Sequence, residues 1–328
     1  MTWIVGRHAA HRFSDVLVDR LIRRERMDMR VSLARSADHF RGVQESLRPL
    51  EQSLISALSA ITSLVIKINL VITRTPRYSQ GVELATTPID AVRGFIDFIL
   101  PFYGGKIVIA EEAAWGDTKD GFGFYGFSRL AEESDQIELL DLRDDETLVR
   151  KVMHPEGELE LPLSKTLVEA SFLVSITRPK THCTVLMTAG LKNVLVGAIQ
   201  RYSNRRSIHR DRHIHHVIAS LAQHTYPDFV IIDGTVGMQG GGPIRGTAIN
   251  AGWAISSFDA LAADSLATYL MGFNVDGVGY LKLIRNQGWG LLYPADEIGI
   301  IGETPKNLIT PFEPHRNFKR MQVWEGDR

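Results

Sequence analysis

Short apolar runs recur along the chain, separated by longer stretches whose apolar positions repeat at helical spacing. The runs "LVIKINLV" (64–71), "KIVIA" (106–110), "IELLDL" (137–142), "SFLVSIT" (171–177), "DFVIID" (228–233) and "IGIIG" (298–302) predict strands. Their near-continuous hydrophobicity suits a parallel sheet covered on both faces. Helices are predicted from Pro88 to Leu100, with Thr87 as N-cap and Pro88 in the first turn. Others are predicted over 164–170, 184–198, 212–224 and 257–271. This alternation predicts an α/β fold with a mostly parallel central sheet flanked by helices.

Residues 14–60 break that rhythm. "VLVDRLIRRERM" and "VQESLRPLEQSLISALSAI" are amphipathic without strand-like alternation, and Pro49 marks a break in the second. They predict a helical N-terminal extension over 1–60, ahead of an α/β domain over 61–328 with room for two merged lobes divided near 150–200. The same helices are the surface assigned to self-association into a homo-oligomer.

Composition narrows the class without naming a function. Hydrophobic residues at 44% and charged residues at 23% of 328 describe an ordinary globular chain. A net charge of -1 and a pI near 6.8 supply no global field for nucleic acid or an anionic membrane. The single cysteine, Cys183, excludes a disulfide framework, a four-cysteine zinc site and a self-contained iron–sulfur cluster. It reads as a small buried hydrophobe rather than a nucleophile. The opening "MTWIVGRHAAHRF" lacks a signal-peptide core, and no run approaches the roughly 18 apolar residues of a membrane span, so a cytoplasmic location is expected.

Nearly every predicted strand ends in a polar or charged group: Asn69, Glu111 with Glu112, Asp141, Lys180 with His182, Asp233 and Glu303. In open α/β sheets ligands bind beyond the carboxyl ends of the strands, so these ends predict one shared cleft. Lys67 and Asn69 are two apart and share a face. Pro179 ends a strand and leaves Lys180 and His182 at its edge, where histidine supplies an acid or base and lysine holds an oxyanion. Lys192 and Asn193 follow on a predicted helix and form a second positive wall.

Other stretches add candidates. The glycines of "VGMQGGGPIRGT" (236–247) predict a nest of backbone N–H groups at Gly241 and Gly242, with Arg245 beside them, for phosphate or carboxylate. This is neither a P-loop nor a dinucleotide fingerprint, so no dinucleotide is expected. "EEAAWGDTKDGFGFYGF" (111–127) predicts a lid carrying Trp115 as a substrate contact. "QRYSNRRSIHRDRHIHH" (200–216), if helical, places His209, His213 and His216 on one side, facing a divalent metal or a polyanion. Glu111, Asp117, His209 and His213 are the candidate metal ligands. Asp259 and Asp264 are five apart and make a poor metal pair. Glu313, His315 and Arg316 form a Pro-braced tail able to close over the site.

The ordered motifs resemble the family called "domain of unknown function 362" over roughly residues 64 to 302. They are K-x-N (Lys67, Asn69), K-T-H (Lys180, Thr181, His182), L-K-N-x-x-x-G (Leu191, Lys192, Asn193, Gly197), D-G (Asp233, Gly234), G-P-x-x-G (Gly242, Pro243, Gly246) and D-x-x-x-x-D (Asp259, Asp264). Some relatives carry a ferredoxin-like cysteine segment, which this chain lacks. The resemblance implies no defined activity.

These readings converge on an enzyme acting on a small carboxylate or phosphate, without a nicotinamide cofactor. Lys67, Asn69, Lys192 and Asn193 would bind the anion, His182 and Lys180 would perform acid–base chemistry, and Asp233 would orient a lysine or histidine. Isomerisation, elimination or proton abstraction fits those groups. A non-catalytic anion- or nucleic-acid-binding protein and a metal-dependent enzyme are the alternatives.

Overall fold

The structure is a computed structural model that describes residues 27–73 and 82–321. The predicted "VLVDRLIRRERM" helix lies almost wholly outside the described residues. An eight-stranded sheet runs through the fold in the order β14-β1-β13-β10-β7-β2-β3-β4. Its strands are β1 (Val31–Arg35), β2 (Ser63–Lys67), β3 (Lys106–Glu111), β4 (Ile137–Asp141), β7 (Leu173–Thr177), β10 (Phe229–Gly234), β13 (Trp253–Ser257) and β14 (Ile300–Gly302). Seven of them run in one direction, and only β13 opposes its neighbours β1 and β10. All six predicted strands are present and the mixed α/β architecture is as expected.

The N-terminal boundary differs from expectation. Residues 31–35 are not part of a helical extension but form β1, deep in the main sheet between β13 and β14. The helices His39–Leu47 and Glu51–Leu58, separated by a short 3-10 turn at Pro49, pack back onto that sheet. "VSLAR" is too short and too polar to announce a strand. Its pairing with Trp253–Ser257 makes it one.

Burial on both faces accounts for the apolar runs. In β10, Phe229 and Ile231 enter one core while Val230 and Ile232 enter the other. In β2, Leu64 and Ile66 face the first core, which leaves Val65 and Lys67 on the opposite face. Ser175 lies beside Lys67 in the β2–β7 register. The helix Gly190–Leu195 packs over that face.

A second sheet, β12-β11-β8-β9, follows from β7: β8 (Lys180–His182), β9 (Leu186–Thr188), β11 (Gly237–Gly241) and β12 (Arg245–Ile249). The expected helix over 184–198 is therefore β9 plus a short helix. A separate hairpin, β5 (Thr147–His154) with β6 (Gly157–Ser164), precedes β7. The 111–127 stretch is not one continuous loop, because seven of its residues fold into the helix Thr118–Phe124, with Asp117 as its N-cap. Among the described residues no helix is long and apolar enough to cross a membrane.

Candidate functional site

The chain runs outward from β2 to β3 to β4, then returns to lay β7 and β10 on the other side of β2. The strand order reverses between β2 and β7, and the crevice beyond their carboxyl ends is where open α/β sheets bind ligands. A cavity of about 250 Å³ opens there. Lys67, Asn69, Trp115, Lys180, His182, Lys192 and Asn193 all line it, as do Glu111, Tyr202, Arg205 and His209.

A network of side-chain amides organises the floor. Asn193 Nδ2 donates to the Lys67 carbonyl at 2.9 Å and to Ser175 Oγ at 3.1 Å. A carbonyl only accepts, so Asn193 must turn its Oδ1 the other way, where it accepts from Asn69 Nδ2 at 3.1 Å. Asn69 Oδ1 then accepts from Lys180 Nζ, which also donates to the Ala85 carbonyl at 2.8 Å. Lys180 is 1% exposed and has no carboxylate partner among the described residues.

Lys67 is differently placed. Its ammonium meets Glu111 Oε2 and the Ile68 carbonyl at 2.8 and 2.7 Å, with Asn193 Oδ1 at 3.5 Å. Three acceptors use all three of its hydrogens. Glu111 also receives the N–H groups of Leu70 and Glu112 at 2.8 and 2.7 Å. Gly197 permits this approach, since a Cβ there would lie 2.7 Å from Lys67 Cε. Glu112 is equally engaged, by Arg205 Nη2 at 3.1 Å and the Arg201 N–H at 2.9 Å. That bonding seats the helix Tyr202–Arg210 and its His209 over the cavity.

On the opposite wall, Lys192 Nζ lies 3.2 Å from His209 Nε2, and His209 Nδ1 donates to the Arg205 carbonyl at 2.7 Å. With its proton on Nδ1, His209 accepts from the lysine. The His182 ring stacks on His209 with centroids 5.3 Å apart. His182 Nδ1 accepts from the Thr184 N–H at 3.2 Å, so the neutral ring carries its hydrogen on Nε2.

Burial sets the charges. It pulls Lys180 and His182 well below their ordinary values, and neighbouring cations push both the same way. Lys192 is lowered to about 8 and His209 to about 3, again chiefly by burial. Lys67 is also lowered by burial, against which Glu111 acts. Around neutral pH the cavity therefore holds two neutral imidazoles, a Lys192 ammonium and a Lys180 nitrogen biased towards the free amine.

Several candidates sit elsewhere. Asp233 does not line the cavity; it pairs with His39 Nδ1 at 2.5 Å and accepts from Thr235 Oγ1 at 2.6 Å. Gly241, Gly242 and Arg245 belong to the β11–β12 hairpin, whose tip reaches the cavity only through Pro243 and Ile244. Gly242 is needed for close packing, because a Cβ would fall 2.1 Å from the Thr181 carbonyl. The expected histidine face does not form: the first helix ends at Arg210, Asp211 is extended, and a new helix starts at Ile214. His213 lies beside His154 and His216, apart from the cavity that His209 lines. Among the described residues no three His, Cys, Asp or Glu side chains converge to hold a metal ion, so Glu111, Asp117, His209 and His213 form no joint site. Asp259 caps the helix Ala260–Leu270 through the Leu261 and Ala262 N–H groups, both at 3.0 Å. The Glu313–Arg316 tail bonds to β11 through the Gly240 N–H at 2.7 Å and does not line the cavity. Arg205, which the sequence offers only as part of the basic 200–216 segment, instead pairs with Glu112; nothing in the sequence points to Thr184 or the Ala85 carbonyl.

Comparison with known proteins gives a family. A thylakoid-associated protein of Synechocystis sp., sll1697, is 24% identical over 209 residues, covering 63% of this chain and 63% of that protein. The chain thus matches less than two thirds of that relative's length. The lactate racemase apoprotein from Thermoanaerobacterium thermosaccharolyticum superposes with a TM-score of 0.45 at 17% identity, over 75% of this chain and 58% of that one. A Thermotoga maritima protein does so at 0.39 and 10%, over 74% and 59%. The family model described as "Domain of unknown function (DUF362)" matches residues 64–269, which hold the amide network, both lysine walls and all of the main sheet except β1, β14 and the first residue of β2, and the chain belongs to that family.

Proposed function

We propose that the protein is an enzyme acting on a small molecule that carries a carboxylate or phosphate, by proton transfer next to a carbonyl. One observation carries this reading. Lys180 and Lys192 line a cavity in which both neighbouring carboxylates, Glu111 and Glu112, are already taken up by other groups. The Lys192 ammonium has a neutral imidazole rather than a carboxylate beside it; a buried positive group without a counter-ion is costly, and a bound anion relieves that cost. The Lys192 ammonium grips the anionic group. His182 Nε2–H faces the carbonyl oxygen and stabilises charge that develops there, a role a neutral imidazole performs without losing its own proton. Trp115 and Tyr202, with ring centroids 4.7 Å apart, close one side.

Two measurements test the reading. Oxalate and inorganic phosphate are titrated into the protein by calorimetry, and small 2-oxo acids and sugar phosphates are incubated with it in deuterated water. Expected are anion binding that weakens as pH rises through about 8, where Lys192 loses its charge, and deuterium entering the carbon next to the carbonyl. The Lys192→Gln variant loses the pH dependence and His182→Ala loses the exchange. Unchanged exchange in both His182→Ala and Lys180→Ala sinks the assignment. Binding without exchange in the wild type favours a non-catalytic anion-binding protein.

A further inference from the structure

We infer that Lys180 is a nucleophile that joins the carbonyl carbon of its substrate as an imine, an inference that rests on the proposed anion site. The geometry is that of an amine with its hydrogens already placed. Lys180 Nζ has two acceptors, Asn69 Oδ1 and the Ala85 carbonyl, and a neutral lysine has two hydrogens to give them. The fourth tetrahedral position on nitrogen is then the lone pair, and the residue lines the cavity.

The polarity of Asn69 is not free to change. Its Nδ2 is held by Asn193 Oδ1, and Asn193 is turned by the Lys67 carbonyl, so Asn69 offers Lys180 an acceptor and never a donor. A neutral amide oxygen supports the amine without stabilising the ammonium as a carboxylate would. Lys67 provides the contrast within the same cavity: its acceptors include Glu111 and occupy all three hydrogens of an ammonium. Desolvation and a neighbouring cation are the means by which proteins turn lysine into a nucleophile. Both are present here, with Arg178 and Lys192 as the cations.

The chemistry balances. The Lys180 lone pair attacks the carbonyl carbon, a C–N bond forms, and the C=O π electrons move to oxygen. One amine hydrogen passes to that oxygen. A hydronium ion from solvent gives the hydroxyl a second proton, water leaves with the C–O bonding pair, and the nitrogen lone pair closes the protonated C=N bond. Lys192 stays an ammonium on the anionic group and the proton's positive charge ends on the imine. That charge acidifies the adjacent C–H: its proton passes to solvent water, the C–H pair forms the enamine C=C bond, and the C=N π pair returns to nitrogen. The substrate class is accordingly a small carbonyl compound bearing a carboxylate or a phosphate, of a size that suits a cavity of about 250 Å³.

Reductive trapping decides the matter. The intact protein is incubated with pyruvate or, separately, glycolaldehyde phosphate in the presence of sodium cyanoborohydride, digested, and mapped by peptide mass. The expected result is a reduced adduct on the Lys180 peptide with at least one probe, suppressed by oxalate and lost in Lys180→Arg and Lys180→Met. The two arms tell a carboxylate-bearing substrate from a phosphate-bearing one. Wild-type mapping locates the adduct even if a variant fails to fold. No adduct on Lys180 with either probe, or labelling spread over surface lysines, overturns the inference. In that case calorimetry with oxalate separates the two ideas: retained binding leaves the anion site standing, and absent binding removes both.

Discussion

Asn69 donates its side-chain amide to Asn193 at 3.1 Å, and this one bond determines what Lys180 meets. Because Asn193 is itself turned by the Lys67 carbonyl, a strand backbone two elements away sets the polarity of the lysine's surroundings. The substitution Asn69→Asp keeps the shape and adds a charge. The carboxylate stabilises the Lys180 ammonium, so reductive trapping and solvent exchange at neutral pH fall at least about tenfold, while anion binding weakens. Trapping at the wild-type rate in Asn69→Asp would show that the charge state of Lys180 does not matter.

The Lys67–Glu111 pair belongs to the scaffold. Both residues are buried and every hydrogen of the lysine has an acceptor. Removing one partner strands the other, so Lys67→Met and Glu111→Leu each lose roughly 3–5 kcal/mol in urea denaturation. Losses below about 1 kcal/mol for both would place this pair with weak surface bridges. Gly197→Ala perturbs the same point sterically, with a Cβ 2.1 Å from the Asn193 carbonyl oxygen and 2.9 Å from Lys67 Nζ, and is expected to cost about 1–3 kcal/mol.

Asp264 makes stability depend on pH. It is fully buried in the helix Ala260–Leu270 and accepts from the Gly190 and Leu191 N–H groups at 2.8 and 3.0 Å, thereby positioning the helix that bears Lys192. Burial outweighs those two donors and raises the carboxyl from 3.8 to about 7. An acid with a raised folded-state pKa favours folding below its unfolded value, and that contribution is lost as pH rises through the folded value. The window is therefore from about pH 4 to about 7. Asp264→Asn cannot titrate, so its stability relative to wild type rises across that window, by at most about 4 kcal/mol. Denaturation curves near both ends of the window check this, and a pH-independent difference refutes it.

Much of the fold was legible because its central strands are buried on both faces. Continuous apolar runs such as "DFVIID" have few other places to go. The motif residues were legible for a related reason: a lysine inside "LVIKINLV" needs a partner wherever it lies. What the runs did not contain was the partner. Strand β1 carries serine and arginine and β13 two serines, and β1 becomes a strand against β13, itself held by β10. The predicted histidine face fails because Asp211 accepts from the His213 N–H at 2.7 Å, a local bond that competes with the helix. Asp233 is the strand-end acid its position predicts, and the histidine it pairs with is His39, from the segment whose pattern predicts a helical extension.

By itself, then, the sequence determined that an apolar sheet would carry polar groups at its carboxyl ends, since hydrophobicity and chain-local spacing are properties of the strand alone. Only the tertiary structure decided which of those groups would be satisfied and which left free. Glu111 was assigned to Lys67 across 44 residues and Asn69 to Lys180 across 111, so that one lysine became scaffold and the other kept an open position. Distance along the chain carries no information about such pairings. They follow from the order in which parallel strands are laid beside one another.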